Sequence, residues 1–382
     1  MTAVLASGCS APATSSDPAP TEAPTAEVAL SANVADDATS VGVDTLVSVE
    51  AADGTVTATE LTGAGDATIP GEVTDGAWTA TERLEPGTTY TLTATGENAD
   101  GEPSTRTTTF TTTDLSLDQQ TYPAVAPLEG ETVGVGMPVI VTFDIPVENK
   151  KLFEEHMSVT TSKDLEGSWS WLSDREVHYR PKEYWPANTE VSVDVDVNGL
   201  PAGNGIFGQQ DQRIDFTVGR AAVSTVDVDN YTLTYTRGGK TVRTIPVTNG
   251  DATHQTRQGT KIVMEKFESV DMDAASTGVD ADAPDYYNIQ GVKWAMRLTN
   301  SGEFLHAAPW SVGSQGSVNV SHGCTGMSTE NAGWLYANSI RGDVVTYVDS
   351  PRGLEDRNGW TDWNVDWDTW SQGSALDDDS SD

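Results

Sequence analysis

Phe304-Leu305-His306-Ala307-Ala308-Pro309-Trp310, then a Ser/Gly-rich loop, then Ser321-His322-Gly323-Cys324-Thr325-Gly326-Met327 is the stretch from which the chain is best read. It opens as an apolar strand ending on a histidine, crosses a loop and returns through a glycine to a cysteine. A thiol becomes a useful nucleophile when a nearby imidazole takes its proton or stabilises the thiolate. His306 and Cys324 are spaced to meet in that way. Gly323 permits close backbone approach, and backbone N–H groups there can hold an oxyanion. The main helix signal lies directly downstream, from Ser328 to Asn338, with Ser328 as cap and Ala332, Leu335 and Tyr336 on one face. The dipole of that helix is expected to favour a thiolate at Cys324. By spacing alone two other readings stay open. One is a buried cysteine with two strand histidines. The other is a zinc site from His306, His322 and Cys324, which lacks an evident fourth ligand.

Outward from this stretch the chain reads as short strands and turns. Its 382 residues are too many for one ordinary domain. Residues 1–26 are expected to be a lipobox remnant and a disordered tether, since Pro12, Pro18, Pro20 and Pro24 lie among Ala, Ser, Thr and Glu. Residues 27–114 read as a first immunoglobulin-like domain. Leu46-Val47-Ser48-Val49 and Tyr90-Thr91-Leu92-Thr93 alternate with period two between punctuating glycines. Residues 115–219 read as a second β-domain, with strands at Val139–Phe143, Trp169–Leu172, Val191–Val195 and Phe216–Gly219. Residues 220–349 hold the cysteine stretch and open on a hairpin, Tyr231–Ile245, turning at Gly238-Gly239. Residues 350–382 are Trp-rich and end in an acidic tail expected to be disordered after about 372. Trp360, Trp363, Trp367 and Trp370 are spaced to share one face of a helix docked on the catalytic domain, with glycan stacking as the rival use. The fold class is therefore mainly β: two immunoglobulin-like sandwiches and a β-rich catalytic domain with one or two short helices.

The formal net charge is −37, with only 21 Lys and Arg in the whole chain. A phosphate-binding surface needs clustered cations, so nucleic acid is excluded as an expected partner. The acidity reads as solubility outside the cell. No stretch is long and apolar enough to span a bilayer as a helix. The two cysteines, Cys9 and Cys324, are expected to have separate chemistries rather than to pair. Leu5-Ala6-Ser7-Gly8-Cys9 resembles a bacterial lipobox, with Ala6 where Leu is usual, and implies lipidation at Cys9 and a location on the outer face of the cytoplasmic membrane, facing the cell wall.

Ser321-His322-Gly323-Cys324, the Ser-started helix with Trp334-Leu335-Tyr336, and Arg341-Gly342-Asp343-Val344-Val345 together resemble the catalytic signature of L,D-transpeptidases. His306–Val312 is similar to the strand carrying that family's general base, and His254–Gly259 to the loop before its next strand. Gly167–Trp171, Glu176–Pro181 and Tyr184-Trp185-Pro186 resemble the immunoglobulin-like domain that precedes the catalytic domain in actinobacterial members. The resemblance implies that Cys324 attacks a donor stem tetrapeptide of peptidoglycan, releases D-Ala through a thioester, and passes the acyl group to an acceptor amine as a 3→3 cross-link. It implies His306 as base and acid, His322 as a pocket wall, oxyanion donors at Gly323 and Cys324, and substrate contacts at Tyr287, Met272, Ser321, Trp310 and Gly326. No metal or organic cofactor is implied, and acylation by carbapenems is. Two positions depart from the family: Gly326 stands where Asn is usual, and Ala307 where Ser is frequent. Ala307 keeps the backbone carbonyl through which that Ser largely acts. The alternatives are a non-catalytic wall-binding scaffold with a decayed site, for which Gly326 is the warning sign, and a cysteine L,D-carboxypeptidase that uses water.

Overall fold

The structure is a computed structural model and describes residues 1–3, 26–283 and 286–376. Cys9 and most of the expected tether lie outside the described residues. The chain divides into two compact units, one built from residues 1–83 and 87–113, the other from 84–86 and 114 onward.

The first unit is a β-sandwich. One sheet has the order Ala29–Ala32, Ser48–Ala52, Ala77–Ala80, Gly71–Thr74. The other runs Ala38–Val41, Pro103–Thr112, Thr89–Glu97, Thr55–Thr62, Thr68–Ile69. In Thr89–Glu97 the residues Tyr90, Leu92 and Ala94 are buried while intervening threonines point away, as a period-two strand over a core requires. Tyr90 stacks on Phe110 at 5.5 Å between centroids.

The second unit begins with another sandwich. Pro123–Ala126, Val139–Phe143, Glu176–Pro181 and Gly167–Trp171 form one sheet. Thr132–Val133, Gln212–Val218, Thr189–Val195 and Met157–Thr161 form the other. Its core holds Val141, Phe143, Trp169, Tyr179, Trp185, Val193 and Phe216, and continues into the catalytic domain through Ile262 and Val344. A short helix at Lys150–Glu155, which the sequence pattern did not signal, adds Phe153 to this core.

Val133–Pro138 does more than lead into a strand. The Gly134 N–H donates to the Arg341 carbonyl at 2.8 Å, and the Gly136 N–H to the Gly342 carbonyl at 2.9 Å. A Cβ on Gly134 would lie 2.3 Å from the Asp343 backbone nitrogen. Gly134→Ala is therefore expected to destabilise the second unit by about 1–3 kcal/mol through overpacking. A melting temperature equal to wild type in differential scanning calorimetry would show that the seam is looser than this.

The catalytic domain has a six-stranded sheet in the order Lys240–Pro246, Thr232–Arg237, Ala222–Asp227, Val344–Val348, Arg257–Ile262, Arg352–Gly353. The expected hairpin is present: Arg237 pairs with Lys240 across Gly238 and Gly239, both at positive φ, as a two-residue turn of this hand needs. A second sheet runs Glu265–Asp273, Asn288–Arg297, Phe304–Ala307, Thr325–Met327. The helix Thr329–Asn338 is capped by Ser328, whose side chain accepts from the Asn331 N–H, and buries Ala332 and Leu335 between the sheets.

The C-terminal tryptophans do not share one helix. Only Trp367–Ser371 is α-helical, after a 3-10 turn at Asp362–Asn364. Three of the rings instead surround the buried Arg180 of the second sandwich, at 4.9 Å (Trp363), 5.4 Å (Trp367) and 4.7 Å (Trp370) from its guanidinium carbon. The segment thus docks mainly on the sandwich rather than on the catalytic domain. It stays fixed past 372, since Glu154 accepts from Ser374 Oγ and from the Ala375 N–H.

Candidate active site

Cys324 and His306 face one pocket because Cys324 directly precedes Thr325–Met327, the parallel neighbour of the His306 strand, with His306 opposite Gly326. Among the lining residues are Met272, Tyr287, His306, Trp310, Ser321, His322, Cys324 and Gly326, which are eight of the nine catalytic and substrate-contact residues expected from the sequence. The pocket encloses about 200 Å³ and is partly open to solvent. The paired strands Glu265–Asp273 and Asn288–Arg297 bring Met272, Ile289 and the adjacent Tyr287 to its wall. Trp310 stacks over His306 at 5.9 Å and is 56% exposed, an apolar lip at the mouth.

His306 is buried, and its Nδ1 lies 2.9 Å from the Ala307 carbonyl oxygen. A carbonyl can only accept, so Nδ1 carries the hydrogen and Nε2 keeps the lone pair of a base. Burial pulls the imidazole below its ordinary range, opposed by that carbonyl. Cys324 rests on an apolar cluster of Met272, Val292, Ala295 and Phe304. Burial there pushes the thiol up to about 12; the Phe304 N–H and Lys261 pull the other way, and Glu303 adds to the rise. The sulfur donates to the Gly302 carbonyl at 3.5 Å. The resting pair is thus neutral thiol and neutral imidazole, not the thiolate that spacing suggested. The helix dipole does not change this, because the extended segment Thr325–Met327 separates Cys324 from Thr329.

Gly323 is not among the lining residues. Its N–H donates to Ser321 Oγ at 3.2 Å, while that hydroxyl donates to the Cys324 carbonyl at 2.6 Å. The expected oxyanion donor at Gly323 is therefore already engaged, and the Ser321 hydroxyl shapes the turn. The Gly323 carbonyl is held by Thr256 Oγ1 at 2.7 Å. Gly326 exchanges backbone bonds with Thr248, and a Cβ there would lie 2.8 Å from the Ala308 Cβ, so glycine fits a crowded position.

His322 is sandwiched between His254 at 4.6 Å and Tyr287 at 5.1 Å. The sequence placed His254 in a loop but gave no reason to set it against His322. Thr248, Ile289, Ser311 and Val320 also line the pocket without having been singled out. They come from separate segments and carry no motif. Among the described residues no group of three or more His, Cys, Asp or Glu side chains is arranged to hold a metal ion.

Comparison with known proteins places both the immunoglobulin-like and the catalytic regions. Residues 38–201 match a bacterial Ig domain family, and residues 221–346 match the L,D-transpeptidase catalytic domain family. The chain is 38% identical to L,D-transpeptidase 2 of Mycobacterium tuberculosis (strain CDC 1551 / Oshkosh), over 91% of this chain and 85% of the relative. It is 36% identical to L,D-transpeptidase 5 of Mycobacterium tuberculosis (strain ATCC 25618 / H37Rv), over 86% and 73%. The structure of the L,D-transpeptidase LdtMt1 in complex with imipenem is similar at TM-score 0.53 and 34% identity, covering 60% of this chain and 99% of that one. With identity sustained across both the immunoglobulin-like and the catalytic regions, the chain belongs to the L,D-transpeptidase family.

Proposed function

We propose that the chain forms 3→3 cross-links in peptidoglycan through a Cys324 thioester. The observation that carries the reading is a buried thiol and an Nε2-basic imidazole lining one pocket. His306 Nε2 takes the thiol proton as sulfur attacks the carbonyl of the third residue of a donor stem tetrapeptide. The C–N bond to terminal D-Ala breaks, and His306 returns the proton to the leaving amine. An acceptor amine then attacks the thioester, gives its proton to His306, and expels the sulfur, which is reprotonated. The Cys324 N–H is the backbone donor assigned to the oxyanion, since Gly323 is engaged elsewhere. Tyr287, Met272 and Trp310 supply the apolar wall for the stem, and His322 shapes it. Lipidation at Cys9 would hold the enzyme on the outer face of the membrane, toward its substrate.

Incubation with a carbapenem, followed by intact mass measurement, is expected to add one ring-opened drug to wild type and none to Cys324→Ala. No adduct on the folded wild type favours the scaffold reading. Donor tetrapeptide with an acceptor amine should give a cross-linked product and D-Ala; D-Ala with only the hydrolysed tripeptide would make the protein a carboxypeptidase.

A further inference from the structure

Behind the nucleophile turn stands a threonine that the transfer steps do not touch. Thr256 is buried and does not line the pocket. Its Oγ1 accepts from the Gly250 N–H at 2.8 Å and lies 2.7 Å from the Gly323 carbonyl oxygen. An N–H can only donate and a carbonyl can only accept, so the single hydroxyl hydrogen goes to Gly323. Thr256 is itself held, its own carbonyl accepting from Ser350 Oγ. The segment 249–251 fastens the same turn along its backbone. The Ser321 N–H donates to the Asn249 carbonyl at 3.0 Å, and the Asp251 N–H to the Ser321 carbonyl at 2.9 Å.

The grip on Gly323 bears directly on Cys324. The Gly323 carbonyl and the Cys324 N–H belong to one peptide unit, which is planar and trans, so they point in opposite directions. With the carbonyl held from behind by Thr256, the N–H is aimed away from Thr256. Cys324 lines the pocket, while Thr256 and Gly323 do not. Among the described residues the Cys324 N–H donates to no backbone carbonyl, whereas that of Gly323 is taken up by Ser321 Oγ at 3.2 Å. Gly323 sits at φ +121°, where a glycine without a partner turns easily. An oxyanion donor is worth most when it is fixed before charge develops. Rotation of this one peptide would swing the donor off the oxygen of a bound acyl group.

We propose that Thr256 is a positioning residue for the oxyanion: by holding the Gly323 carbonyl it aims the Cys324 N–H at the oxygen that becomes negative when the thiol attacks. The proposal rests on Cys324 being the nucleophile and its N–H the donor, but its test needs no wall peptide.

Two reagents separate the aim of the N–H from the reactivity of the sulfur. p-Nitrophenyl acetate is attacked at its carbonyl, passes through a tetrahedral oxyanion, and leaves an acetyl thioester with release of p-nitrophenolate. Iodoacetamide is attacked at a saturated carbon and gives a thioether with loss of iodide and a proton, with no oxyanion. Both reactions are followed by intact mass on wild type, Thr256→Val, Thr256→Ala and Thr256→Ser. Thr256→Val is expected to slow acetylation about 10- to 100-fold, less than loss of a whole oxyanion donor, with alkylation within about threefold of wild type. Thr256→Ser keeps the hydroxyl and is expected to match wild type in both. Circular dichroism reports folding, and should Thr256→Val fail to fold, Thr256→Ala decides. A folded hydroxyl-free variant that acetylates at the wild-type rate overturns the proposal. So does one in which both reactions slow together, as a merely displaced sulfur would give. Carbapenem acylation of wild type is measured alongside. Its absence with the acetylation pattern intact would sink the transpeptidase reading and leave Thr256 standing.

Discussion

On the proposed mechanism, replacing His306 with Gln is expected to slow acylation of Cys324 by a carbapenem about 10²- to 10⁴-fold, the usual contribution of a positioned general base. The size follows from the protonation states. The thiol, pushed up to about 12 by burial, supplies almost no thiolate at neutral pH, so a base must remove its proton during attack. In the proposed mechanism His306 is that base, because the Ala307 carbonyl holds Nδ1–H and leaves Nε2 basic. The pH dependence has a definite sign. Burial lowers the imidazole, so its neutral form persists as pH falls through the ordinary histidine range. Wild-type acylation should therefore hold its rate through about pH 6.5 and decline only below it. Stopped-flow fluorescence of carbapenem acylation measures both effects. A His306→Gln rate within a few-fold of wild type would place the base elsewhere.

Replacing Asp362 with Ala destabilises the second unit by about 3–5 kcal/mol, the cost of leaving one partner of a buried ion pair alone. His178, buried on the second sandwich, bonds Asp362 Oδ1 at 2.6 Å through Nδ1 and Glu176 Oε1 at 2.9 Å through Nε2. Burial lowers this imidazole, but the charge and hydrogen bond of Asp362, joined by Glu176, overcome it and raise it to about 9. The folded value lies above the unfolded one, so the contribution is fully present below about pH 6.5 and is lost as pH rises through about 9. Its order is 3 kcal/mol. Denaturant titration of wild type at both ends of that window should show the loss, while Asp362→Asn should flatten it. A wild-type midpoint that does not move between the two would mean that His178 is not carried as a cation. The pair joins the sandwich to the C-terminal segment, so its loss should also loosen the tryptophans around Arg180.

What was legible in the sequence was short-range. Period-two alternation in Thr89–Glu97 and paired glycines at the Thr232–Arg237 turn report local backbone preference, and both hold in three dimensions. The histidine strand and the cysteine turn were legible through the motif they resemble, and the structure pairs the two segments in parallel across residues 308–324. The expectation of a thiolate failed for a different reason. Ionisation depends on the apolar cluster of Met272, Val292, Ala295 and Phe304 packed against the sulfur, and no nearby spacing encodes that.

The amino-acid sequence by itself determined a mainly β chain, because strand alternation follows from neighbours, and through its resemblance to L,D-transpeptidases it named eight of the residues that line the pocket. Only the tertiary structure decided the neutral resting pair and the docking of the tryptophans on Arg180. Those depend on desolvation and on partners far apart along the chain, His178 and Asp362 being 184 residues apart. A buried charge takes its state from whatever the fold packs against it.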